Sequence, residues 1–134
     1  MAEKVQRLEV VTPEQKVYSG EIRYVIVPGV EGEMGFLPEH APLVSTLDIG
    51  LIRVSKEGEK PLNIAVAGGF VEVRGNRVTI LSRAAERSDQ INRARAAAAR
   101  DRAQARLTAR TPDTDLARAE LALKRALNRL KVAE

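Results

Sequence analysis

The residues best equipped for chemistry are arginines, and the chemistry they offer is capture of negative charge. The stretch "INRARAAAARDRAQAR", residues 91–106, holds five arginines and seven alanines in sixteen positions. Arg95 and Arg102 stand seven apart, as do Arg93 and Arg100. Farther on, Arg118 and Arg125 repeat that spacing, and Arg129 follows Arg125 by four. Seven and four are helical repeats, so each set shares a face. Two antiparallel helices can converge such faces on a polyphosphate or an acidic helix. A solvated basic face is the commoner fate of a charge run, and spacing alone leaves both readings open.

Other reactive side chains are sparse. His40, in "FLPEHAPLV", is the one histidine, and there is no cysteine. It has no companions for a metal site or a triad. Between Pro38 and Pro42 it reads as part of a stiffened surface loop suited to an interface. Glu31, Glu33 and Glu39 fall in loops, with nothing to support an acid–base pair. "PGVEGEMG" has the wrong spacing for a dinucleotide fingerprint and no lysine for a phosphate loop. "AGGFVEV" reads as a strand with a glycine bulge or a close backbone approach.

These side chains must be held by two regions with different physics. All nine glycines lie at or before Gly75, five of six prolines at or before Pro61, and all four aromatics at or before Phe70. Turn signals such as "TPEQ", "KEGEKP" and "RGNR" separate short β-branched runs, including "RYVIV", "LIRVS" and "RVTIL". Many short strands at this spacing predict an antiparallel β-sandwich or small barrel, with Gly75-Asn76 as a two-residue hairpin turn. From Ser88 onward the period becomes helical. Ser88 or Asp89 is expected to cap a first helix; Thr111 is expected to cap a second, with Pro112 at its first position. The expected seam sets Ile91, Ala94, Ala98 and Ala105 against Leu116, Leu123, Leu127 and Leu130, with Ala119 and Ala126 between. The reading is α+β: a sandwich over residues 1–87 and a two-helix antiparallel hairpin over 88–134.

Charge follows the same division. Residues 1–88 carry eleven Lys/Arg against twelve Asp/Glu, whereas residues 89–134 carry eleven against six. A basic appendage on a neutral body calls for an acidic partner. The chain has no apolar run of about 18 residues, so no bilayer span is expected. Its opening "MAEKVQRLEVV" has no signal-peptide core. The composition fits a bacterial cytosolic protein. Because alanine contacts bury little area, docking of the hairpin is expected to be weak, which suits a movable arm.

The order of the pieces resembles one family, the epsilon subunits of bacterial F-type ATP synthases. The matching stretches are "VVTPEQKVYSG", "EGEMGFLPEHAPLVSTLDIGLIRV", "VAGGFVEVRGNRVTIL", "AAERSDQI" and "LARAELALKRALNRLKVAE". The resemblance implies a ten-stranded sandwich with a C-terminal helical hairpin, and a non-enzymatic rotor subunit supporting proton-driven ATP synthesis. It implies three partners: the gamma subunit, the membrane c-ring and the catalytic beta subunits, whose ATP hydrolysis the arm inhibits. It also implies a peripheral place at the cytoplasmic face of the cell membrane, with no insertion into the bilayer.

Carried onto this sequence, the resemblance assigns Glu33 to the c-ring and His40 to gamma. Arg118, Arg125 and Arg129 become the inhibitory arm. No cofactor is required, but some members bind ATP as a regulatory ligand. The matching positions here are Glu86, Ile91, Asn92, Arg95, Ala96, Arg102, Arg125 and Arg129. Asn92 stands where the family pattern has aspartate, which predicts weak ATP binding. The alternative from composition is a nucleic-acid-binding module with a basic helical arm. The lack of aromatics in the basic region removes base stacking and disfavours it. A small enzyme on a sandwich lacks any convergent nucleophile, base or metal cluster.

Overall fold

The computed structural model describes residues 4–133. Met1–Glu3, which open the N-terminal stretch, and Glu134, which ends the last one, lie outside the described residues. The chain divides into two compact units, with the boundary between Arg87 and Ser88.

The first unit is an eight-stranded β-structure: β1 Gln6–Val11, β2 Lys16–Ile22, β3 Tyr24–Gly29, β4 Gly32–Phe36, β5 Leu43–Ser55, β6 Leu62–Arg74, β7 Arg77–Leu81 and β8 Ala85–Arg87. Hydrogen bonds connect them in the order β2-β1-β7-β6-β5-β3-β4, with β8 on the free flank of β6. The β1–β7 pair is parallel and the rest are antiparallel.

The structure has eight strands, not the expected ten, because two of them are long. β5 and β6 are 13 residues each and pair in one continuous register, interrupted only where Asp48 and Gly68, which stand opposite each other, do not pair. Below the break, Leu43–Leu47 and Phe70–Arg74 sit with β7, β1 and β2. Above it, Ile49–Ser55 and Leu62–Ala67 sit with β8, β3 and β4. Two continuous strands therefore serve both layers, and eight strands supply ten segments. Gly69 makes the bend: its φ is +127°, and a Cβ there would stand 2.0 Å from the Leu81 carbonyl oxygen. No side chain fits.

Alternation selects the core. Leu8 and Val10, Val25 and Val27, Ile52 and Val54, Val71 and Val73, and Val78 and Ile80 point inward, joined by Phe36. Their neighbours Arg7, Arg53, Glu72 and Arg77 point outward. The Gly75-Asn76 turn has φ of +54° and +61°, the paired left-handed geometry of a type I′ hairpin.

The second unit is a pair of 17-residue helices, α1 Arg93–Ala109 and α2 Leu116–Val132, packed on each other. Their caps differ from the sequence expectation. Ser88–Gln90 makes only a 3-10 turn; Asn92 caps α1, its side-chain oxygen accepting from the Arg95 N–H. Asp115 caps α2 in the same way through the Arg118 N–H. Thr111 instead closes a turn with Thr114, whose N–H donates to the Thr111 carbonyl at 2.9 Å. Pro112 suits the second position of a turn as well as a helix start. The cap that won stands directly before the uninterrupted run of helix formers.

The seam differs too. The buried side chains are Ala96 and Ala103 on α1 and Ala119, Ala126 and Val132 on α2; Ala94, Ala98 and Ala105 are exposed. Leu116 and Leu127 are 41% and 49% exposed. Ala96 and Ala103 on α1, and Ala119 and Ala126 on α2, each repeat at heptad spacing along the buried side of their helix. Alanine against alanine lets the axes close toward about 8 Å, the low end for helix pairs. Leucines are too large for that seam and move to its shoulder, where Leu123 and Leu130 are half-buried.

Candidate functional site

The seam fixes where the arginines point. Arg95 and Arg102 each stand one residue before a seam alanine, and so do Arg118 and Arg125 on α2. In an antiparallel pair, the position preceding the seam lies on the same edge for both helices. All four side chains are exposed. Among the described residues, none of their guanidinium groups has an ion pair or hydrogen bond. The leucines occupy the opposite edge. Neighbours on one helix lie about 10 Å apart, within reach of a single extended anion.

Some other arginines of the hairpin are tied into the structure. Arg93 donates to the Ala133 carbonyl at 2.7 Å, tying the start of α1 to the end of α2. Arg100 pairs with Asp101 at 3.1 Å. Arg129 is half-buried. Asn92 is the α1 cap, its Oδ1 held 3.0 Å from the Arg95 nitrogen. Ile91, half-buried, precedes that cap, and Ala96 is wholly buried in the seam. Glu86 belongs to the sandwich, half-buried on β8 opposite Ala65.

The sandwich carries the remaining predicted positions at different places. Glu33 is exposed at the start of β4, beside the β3–β4 turn and facing Pro28 in register. Val30 at that turn is 56% exposed. His40 is exposed in the β4–β5 loop, its ring edge-on to Phe36 at 5.0 Å between centroids. Its Nδ1–H donates to the Ala41 carbonyl at 2.7 Å.

One surface was missed in the sequence. Phe70 and Leu81 are 56% and 52% exposed, and with Val11, Pro13 and Gly69 they line an apolar depression of ≈ 370 Å³. The signal was present: in "FVEVR" Val71 and Val73 take the inward positions, which leaves Phe70 facing out with Glu72. Phe70 and Leu81 are ladder partners, so together they make a contiguous exposed apolar patch. Beside it, Glu9 meets Arg7, Lys16 and Arg77 at 3.4, 3.6 and 3.8 Å. Partial burial pushes the Glu9 carboxyl up, but the Arg7 hydrogen bond and the three cations together hold it below its ordinary value. Among the described residues, no cluster of acidic, His or Cys side chains could hold a metal ion, and no helix is long and apolar enough to cross a membrane.

Both units match family models. Residues 5–88 match the β-sandwich domain of the ATP synthase delta/epsilon chain, and residues 89–134 match its long α-helix domain. The ATP synthase epsilon chain of Desulforamulus reducens is 51% identical over 131 residues, covering 98% of each chain. That of Pelotomaculum thermopropionicum is 56% identical over 111 residues, covering 83% of this chain and 82% of the relative. A chain of the Euglena gracilis mitochondrial ATP synthase, solved by cryo-EM, shares the fold with a TM-score of 0.79 at 24% identity, covering 99% of this chain and 84% of that one. With both halves matched end to end and half of all residues shared with bacterial epsilon chains, this chain belongs to the ATP synthase delta/epsilon family, among its epsilon chains.

Proposed function

We propose that this chain works as a non-catalytic central-stalk subunit of a bacterial F-type ATP synthase, supporting proton-driven ATP synthesis. In this reading the sandwich joins gamma to the c-ring, with His40 toward gamma and Glu33 toward the ring. The hairpin restrains ATP hydrolysis by engaging acidic segments of the catalytic beta subunits. The protein sits peripherally at the cytoplasmic face of the cell membrane. The observation that carries this reading is the contrast between two exposed surfaces: an apolar depression at Phe70 and Leu81, and an edge of four unpaired guanidinium groups. The first suits a stable protein partner and the second an acidic one. ATP is the regulatory ligand of Arg95, Arg102, Arg125 and Arg129, bound weakly because Asn92 brings no charge.

The test is reconstitution with gamma and the catalytic head, at fixed nucleotide concentration. Replacing Arg118, Arg125 and Arg129 together by alanine should raise ATP hydrolysis, because alanine keeps the helix and removes the charge. Added salt should mimic the variant by screening the exposed guanidinium groups. Hydrolysis that is unchanged in the variant would overturn the inhibitory role of the arm.

A further inference from the structure

The β4–β5 loop that presents His40 is held in an unfavourable backbone shape by a residue far away in sequence. Glu39 has φ of +67°, a left-handed conformation that costs a non-glycine residue about 1 kcal/mol or more. Such a residue persists only where its surroundings over-determine it. Here three contacts do so. The Glu39 N–H donates to Asn76 Oδ1 at 2.6 Å, across 37 residues of sequence. The Glu39 carboxylate accepts from Lys4 Nζ at 2.9 Å. One residue before the loop, the Phe36 carbonyl accepts from Gln6 Nε2 at 2.7 Å, and Gln6 is 3% exposed.

Asn76 is itself well anchored. It sits at φ +61° in the β6–β7 turn, and its carbonyl accepts from the Arg7 N–H at 3.0 Å. The turn is therefore fixed to the sheet, and its side chain can serve as a rigid post. Around the loop stand Leu37 and Val44, 65% and 67% exposed. Leu37 lies in the loop, so its placement depends on the loop's shape, while Val44 is held beside it on β5 opposite Glu72.

We infer that Asn76 is a positioning residue for the partner-facing loop, its Oδ1 latching the Glu39 N–H so that His40 and Leu37 meet gamma already ordered. The inference rests on the reading that His40 faces gamma. Exposed surface-loop backbone has water as an alternative acceptor, so the latch contributes little to global stability. Its effect falls on the free loop, where it removes the ordering cost of binding.

The experiment uses the full chain, titrated with purified gamma subunit, in the wild type and in Asn76→Gly, Asn76→Asp and His40→Ala. Glycine accepts the positive φ and suits a type I′ turn, so Asn76→Gly removes the acceptor and leaves the turn. Asn76→Asp keeps both. Asn76→Gly should raise the Kd for gamma about five- to tenfold, the worth of one hydrogen bond. It should also speed exchange of the Glu39 amide hydrogen by a similar factor, with the thermal midpoint of the sandwich nearly unchanged. Asn76→Asp should restore affinity and protection together, and His40→Ala should weaken binding with the Glu39 amide still protected. Wild-type affinity in Asn76→Gly while His40→Ala weakens binding would overturn the latch. Unaltered affinity in His40→Ala would instead overturn the reading beneath it. Should Asn76→Gly unfold, exchange and affinity in Asn76→Asp decide the matter: loss of both despite a retained acceptor overturns the latch.

Discussion

Replacing Ala103 by leucine should loosen the hairpin, whereas replacing Ala98 by leucine should not. Ala103 is 1% exposed in the seam, and Ala98 faces solvent. Leucine in a seam closed to alanine contact must push the helices apart or leave its rotamer well, at about 1–3 kcal/mol. Leucine and alanine differ little in helix propensity, so both helices survive either change. At the solvent-facing site the effect should stay within about 0.5 kcal/mol. Amide hydrogen exchange across Leu116–Val132 reads the difference, because local opening sets the rate. Ala103→Leu should speed that exchange by about 5- to 150-fold, the ratio its cost implies, and Ala98→Leu should leave it close to wild type. Equal acceleration in the two variants would refute the alanine seam. The common edge assigned to Arg95, Arg102, Arg118 and Arg125 would fall with it.

Three further outcomes are expected. A chain ending at Ser88 should unfold in one cooperative transition and still bind gamma, since the sandwich core lies wholly before Arg87; thermal unfolding and a binding titration check both. In calorimetric titration, Asn92→Asp should tighten ATP binding about ten- to a hundredfold, the worth of one charge-assisted hydrogen bond, and Arg95→Ala should weaken it; identical binding by all three proteins would assign these arginines to beta alone. The lowered Glu9 carboxyl stabilises the sandwich at neutral pH, fully above its unfolded value and progressively less as pH falls through its folded one. Glu9→Gln should therefore lower the neutral-pH melting temperature and flatten its decline toward acid, as read by thermal unfolding across that range.

Local signals carried much of this in the sequence, and long-range ones did not. Gly75-Asn76 announces its turn because a type I′ hairpin needs two positive φ angles, and few other pairs supply them. The change of period at Ser88 is equally local. Asn92 and Asp115 were harder to pick out, because Ser88, Asp89 and Thr111 offer the same capping oxygen, and only the start of continuous helix separates them. The seam was misplaced for a different reason. Periodicity weighs leucine above alanine, yet close helix approach selects the small residues and pushes the large ones aside. That choice depends on a partner helix which one-helix periodicity does not contain. At Gly69 the glycine pair of "AGGFVEV" signalled a close backbone approach, though not that its neighbour is the Leu81 carbonyl on the next strand; the latch from Asn76 to Glu39, which joins two turns far apart in sequence, was invisible in principle.

The unbroken passage of β5 and β6 through both layers bears on how the sandwich responds to torque. Two sheets joined only by side-chain packing can shear past one another, since hydrophobic contact is non-directional and slides at little cost. Here any such slip would have to stretch or rotate covalent backbone at Asp48 and at Gly68-Gly69. These crossings lie side by side in the sheet and would have to yield together. A twist applied at the Phe70 and Leu81 surface therefore reaches the Glu33 end through peptide bonds as well as through side-chain packing.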